Sequence, residues 1–230
     1  MAGASLTVLK IEKILKNEIF KASNYSFKEQ TTFDLHGSEI KDLGLPKTEI
    51  QKHFLEAGFR HYSVKMSTET IKEPIYIYDN EYIEWMRGYQ KIENFEFWIN
   101  DDTLKMYIFA PKQIASTFIR RLKKEQYIMY SDIQFDFSKI GELEKLDSAW
   151  GTWEDSVGIV NRTAKFGKGL NTIITDFSKI TTFYIDYKYG GKLKQLILSA
   201  EGRISSQSSL TNRDIFIIYN EISTTLLSKT

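Results

Sequence analysis

The sequence predicts an α+β protein: a mainly antiparallel sheet with a few covering helices. Three observations carry this. Aromatic and β-branched runs recur between turn residues in the middle and C-terminal parts of the chain. Two stretches, Pro111–Glu125 and Asn212–Leu227, carry apolar residues at helical spacing. Around the first of these, the order strand, strand, helix, strand keeps strands adjacent without regular crossover helices.

The clearest single signal is Ile180–Ser199. Gly190-Gly191 can adopt the positive φ angles of a tight type I′ turn, and the flanking runs favour strands. That turn sets a register in which Tyr189 faces Lys192, Tyr187 faces Lys194, Ile185 faces Leu196 and Phe183 faces Leu198. Alternation puts these on one face, and Tyr184, Asp186 and Lys188 with Leu193, Gln195 and Ile197 on the other. Both faces hold apolar residues, so a central pair is expected.

In chain order, Ser5–Ala22 reads as a helix, since Val8, Ile11, Leu15, Ile19 and Ala22 recur at helical spacing. Asn24–Leu45 reads as a loop or a weak strand around Phe33–His36. Lys47–Ala57 reads as a capped helix, with Thr48 and Gln51 as a capping box and Gly58 as its stop. Pro74–Tyr78 with Glu81–Trp85, and Phe95–Ile99 with Leu104–Phe109, read as strand pairs. Pro111 opens a helix that buries Ile114, Phe118 and Leu122. Tyr127–Ile140 returns as a strand. Gly141–Ser156 breaks the pattern and divides an N-terminal α+β region, 1–146, from a β-rich region with a closing helix, 147–230; a single domain also fits the length. Val157–Ala164 is a strand, Glu201–Ser209 a polar loop, and Asn212–Leu227 a helix with Ile215, Ile218, Ile222 and Leu226 as its stripe, although Asp214–Tyr219 reads equally as a strand.

The composition narrows function by exclusion. The chain has no cysteine, which removes disulfides, thiolate catalysis and cysteine-ligated zinc. With no signal-peptide pattern and no long apolar run, a cytoplasmic protein without membrane insertion is expected. Net charge is +1, so electrostatic recognition must be local. His36, His53 and His61 lack metal-ligand spacing, and no phosphate-binding glycine motif or nucleophile elbow occurs. No cofactor is expected.

Local charge is the better clue. Between Val157 and Lys194 seven cations stand against Asp176 and Asp186, an excess of five. Arg162, Lys165, Lys168, Lys188, Lys192 and Lys194, with Tyr187 and Tyr189, are the candidate nucleic-acid-binding residues; Trp150 and Trp153 lie just upstream. Cations neutralise phosphates and exposed rings stack on unpaired bases. Lys112, Arg120, Lys123 and Lys124 form a second basic surface on the Pro111–Glu125 helix. The expected role is therefore a non-catalytic accessory protein that binds a protein partner and a nucleic-acid backbone through a basic, aromatic β-surface. One alternative is enzymatic. Asp176 with Asp186-Tyr187-Lys188 resembles the acid, acid-x-lysine pattern of metal-dependent nucleases, which implies magnesium held by the carboxylates beside a catalytic lysine. The other is a purely structural protein-interaction module. The sequence favours binding over catalysis.

Overall fold

A computed structural model of the chain describes residues 4–21, 24–28, 47–56, 58–71, 74–76, 83–85, 89–154, 160–167 and 180–227. The elements are β1 (Ser5–Ile14), α1 (Glu18–Lys21), β2 (Asn24–Lys28), β3 (Lys47–Glu56), β4 (Phe59–Ile71), β5 (Pro74–Tyr76), β6 (Ile83–Trp85) and β7 (Tyr89–Asn100). They continue with β8 (Lys105–Phe109), α2 (Lys112–Lys124), β9 (Ile128–Asp132), a 3-10 turn (Phe137–Glu142), β10 (Leu146–Glu154) and β11 (Val160–Gly167). The chain closes with β12 (Thr182–Tyr189), β13 (Lys192–Ser199), β14 (Arg203–Ser206) and α3 (Asn212–Leu226). The protein is α+β, dominated by antiparallel sheet with a few helices. Among the described residues, no helix is long and apolar enough to cross a membrane.

The chain forms two compact units that interleave along the sequence. One holds Met1–Ile11, Thr103–Lys112 and Tyr130–Thr230; the other holds Glu12–Asp102 and Gln113–Met129. In the first unit the strand order is β11-β10-β12-β13-β14-β1-β8, every neighbour antiparallel. The β12–β13 hairpin sits mid-sheet in the register the sequence implies, Tyr189 opposite Lys192 and Phe183 opposite Leu198. Gly190 and Gly191 take φ of 58° and 73°, which a side chain at either position would resist.

One face of this sheet is its core. Phe183, Ile185, Tyr187, Leu196, Leu198, Ile204 and Leu6 are buried there. The α3 stripe of Ile215, Ile218, Ile222 and Leu226 is wholly buried, as its helical spacing requires. Tyr219 of α3 packs between Tyr107 and Phe135, and Phe137 meets Phe183 edge-on at 4.8 Å between centroids. Each such side chain contributes about 1.5–3 kcal/mol when fully buried.

A capping box starts α3. Thr211 Oγ1 accepts from the Asp214 backbone N–H at 3.1 Å, and the Asp214 carboxylate accepts from the Thr211 N–H at 2.9 Å. Hydrogen bonds from the Thr211 side chain and backbone hold the Asp214 carboxyl below its ordinary 3.8. A carboxyl depressed by folding stabilises the fold fully above its unfolded pKa, and that stability is lost as pH falls through the folded value. Thr211→Ala is therefore expected to cost about 1 kcal/mol near neutral pH. The deficit should shrink in acid below 3.8; denaturant melts at the two pH values check both.

The second unit contains the sheet β7-β4-β3-β2, antiparallel throughout, and β5 pairs with β6 separately. Tyr62 stacks on Phe97 with rings 4.5 Å apart and 6° from parallel, and its hydroxyl donates to the Phe20 carbonyl at 3.0 Å. Phe118 of α2 closes over Phe95 and Phe97. Arg121, which the sequence does not single out, is buried and donates to Thr48 Oγ1 at 3.1 Å.

Five expectations are corrected. Ser5–Ala22 is not one helix. Residues 5–14 are a strand, and only Glu18–Lys21 is helical. Its Leu6, Thr7, Val8, Leu9 and Ile11 are all buried, so both strand faces are covered and no alternation survives in the sequence. In place of the Lys47–Ala57 helix, Lys47–Glu56 is strand β3, held between β2 and β4; the ladders on both sides override its helical propensity. Gly58, at φ 80°, turns β3 into β4. Tyr127–Ile140 stops as a strand at Asp132, and Asp136 caps the 3-10 turn that follows. Gly141–Ser156 contains strand β10, in which Gly151 lies beneath Ile180 and Phe183, where a Cβ would meet Ile180 at 3.1 Å. Glu201–Ser209 contains strand β14, which joins β13 to β1. The strand expected at Phe33–His36 lies outside the described residues.

Candidate binding surface

The hairpin carries its chemistry on two opposite faces, because successive side chains alternate. On the core face, Tyr187 is buried and its hydroxyl donates to Glu221 Oε2 of α3 at 2.9 Å. Burial first, and the Glu221 carboxylate second, push this phenol well above its ordinary value. Lys145 Nζ meets the other oxygen of Glu221 at 2.6 Å. One pair nearer the tip, Tyr189 donates to Asp214 Oδ1 at 3.0 Å, and Lys194 adds to the forces holding the Asp214 carboxyl down. Lys192 is exposed beside Tyr189 in the register.

The outer face begins where β10 pairs with β12. Trp150 lies directly opposite Tyr184, and their rings stack 5.2 Å apart and 5° from parallel. Tyr184 in turn faces Ile197 of β13. Toward the tip, Ser148 Oγ donates to Asp186, and Lys188 pairs with Asp147 at 3.3 Å. Leu193, opposite Lys188, is 53% exposed. The result is a half-exposed apolar patch of Trp150, Tyr184 and Ile197 at the base of the hairpin, separated from Leu193 near the tip by the Asp186–Gln195 pair.

The candidate residues of the sequence fall apart across this geometry. Tyr187 does not face outward: it belongs to the core, so its ring cannot serve as a stacking platform. Tyr189 has its hydroxyl engaged by Asp214, and Lys188 is tied to Asp147. Lys145, Lys188, Lys192 and Lys194 share this region with Asp147, Asp186, Asp214 and Glu221. Of the cations counted along the chain, Lys188 is thus met by Asp147 of β10, and Lys194 acts on Asp214 of α3. Arg162 and Lys165 lie on β11, Arg162 opposite Thr152; their side chains, and Lys168 altogether, lie outside the described residues.

For the nuclease pattern, Asp176 lies outside the described residues, while Asp186 is engaged by Ser148 and Lys188 by Asp147. No cluster of three metal-ligating side chains occurs among the described residues. His53 is exposed, His36 lies outside the described residues, and His61 is stacked between Phe54 and Trp98, 4.5 Å from each ring. Tyr184 is the residue to which the sequence alone assigns no role. The hairpin register places it beside Ile197 on the face opposite Tyr187; its stacking on Trp150 requires the long-range β10–β12 pairing. No protein-family model matches the sequence, and comparison with curated proteins finds no significant similarity.

Proposed function

We propose that the protein works by binding, docking a protein partner on the outer face of the β10–β12–β13 sheet. The observation that carries this reading is the stacked Trp150–Tyr184 pair on the same outer face as the half-exposed Leu193, on the central strands of the unit. Rigid aromatic anchors within a polar rim are what concentrate binding energy at protein interfaces. Asp186, Lys188 and Asp147 supply such a rim with both signs of charge. The core-face tyrosines serve a different purpose: they latch the hairpin to α3 and fix the outer face in place.

Leu193→Glu tests the reading, because the side chain is exposed and its replacement should change folding stability by less than about 0.5 kcal/mol. Affinity capture of a stoichiometric partner is expected to survive nuclease treatment and to fall at least about tenfold with the variant, as burying a new charge at an apolar contact requires. Capture unchanged by Leu193→Glu would remove this face from consideration.

A further inference from the structure

Helix α2 carries a different surface. Its buried side is Ala115, Phe118, Ile119, Arg121 and Leu122. At about 100° per residue, the opposite arc collects Lys112, Arg120, Lys123 and Lys124, all exposed. The positions between these cations hold only uncharged Gln113, Ser116 and Thr117, and the helix contains no Asp or Glu.

Helix stability accounts for part of this pattern. Lys123 and Lys124 lie in the last turn, where cations offset the negative end of the helix dipole. Lys112 stands at the opposite end, in a first turn without any acidic residue, where the dipole disfavours a cation. Arg120 lies before the last turn and gains little from the dipole. Two of the four cations therefore answer to something outside the helix.

We propose that this arc binds the phosphate backbone of a nucleic acid. Lysine, arginine, serine, threonine and glutamine side chains are the donors that contact phosphate and sugar oxygens. An anionic membrane fits less well, since the arc has no apolar residue to insert between lipids. The contact is sequence-independent, because nothing on the arc is arranged to read base edges.

The experiment uses the whole chain. Fluorescence anisotropy is followed with a labelled single-stranded RNA and a DNA duplex, each of about 20 nucleotides, between about 50 and 200 mM salt. Binding should weaken steeply as salt rises. The double variant Lys112→Gln, Arg120→Gln should bind the single strand at least about tenfold more weakly, with a log–log salt slope shallower by about 1.4, the contribution of two phosphate contacts. Lys192→Gln with Lys194→Gln, at the hairpin tip, should leave binding within about twofold, since neither lysine belongs to the α2 arc and Lys194 already acts on the Asp214 carboxylate. Three outcomes would each overturn the proposal: no salt-dependent binding at the lowest salt, unchanged affinity in the α2 variant, or equal competition by polyglutamate, which would mark an acidic protein as the ligand. Circular dichroism confirms that each exposed-site variant keeps its fold.

Discussion

Phe183→Ala is expected to lower the unfolding free energy by about 3–5 kcal/mol, a large share of what separates a folded domain from its unfolded chain. Phe183 has no exposed surface. It stands near the start of β12, opposite Gly151 on one side and Leu198 on the other. Its ring is met edge-on by Phe137, and a Cβ at position 151 would lie 3.3 Å from it, so it fills the space the glycine leaves. Leu198 and Ile204 beside it are fully buried as well, which leaves no neighbour free to swing into the hole. The cost of such a deletion rises with the cavity that remains, and strands bonded on both sides cannot collapse around it. Denaturant melts should show a lower midpoint with an unchanged slope. A loss below about 1 kcal/mol would mean that the sheet repacks and that this face is not a rigid core.

The hairpin that holds Phe183 is legible in the sequence because every local signal agrees: turn glycines, β-branched and aromatic strands, and two matching faces. The closing helix is less plain: Asp214–Tyr219 reads equally as a strand, and the stripe carried on at helical spacing to Ile222 and Leu226 is what favours the helix that forms. Where local signals and tertiary pairing diverge, the sequence misleads. Thr48 and Gln51 form a credible capping box, yet Thr48 and Ile50 point into the core of a sheet and Glu49 and Gln51 point out. A two-residue alternation lies within the helix-like composition, and only the ladders with β2 and β4 decide in its favour. In β1 the signal is absent rather than ambiguous, since a strand buried on both faces reads as an apolar run of no fixed period.

Charge is the least legible property. Lysines near residue 190 can be counted, but the carboxylates that answer Lys188 and Lys194 come from Asp147 on β10 and Asp214 on α3. Charge summed over a window of sequence equals charge in space only where the chain is local, as it is within one helix. Within α2 the grouping of cations on one arc follows from the helix's own period, so that grouping is legible in the sequence.

The same non-locality sets the second large effect. A fragment of residues 147–230 is expected not to fold alone, although it contains the hairpin, β14 and α3. In the intact chain β14 pairs with Ser5–Thr7 of β1, which covers its free edge. Tyr219 rests on Tyr107 and Phe135, Phe183 rests on Phe137, and Leu227 bridges to Phe135. All of those partners precede residue 147. Without them the buried side of α3 faces water, and β14 presents an unpaired edge next to apolar side chains, conditions that favour aggregation over a native state. Mixing the fragment with residues 1–146 should restore the near-ultraviolet signal of the packed tyrosines, because the missing strand and rings then return by association. A well-dispersed amide spectrum from 147–230 alone would show that the hairpin and α3 suffice, and that the interleaving of the two units along the chain carries no energetic weight.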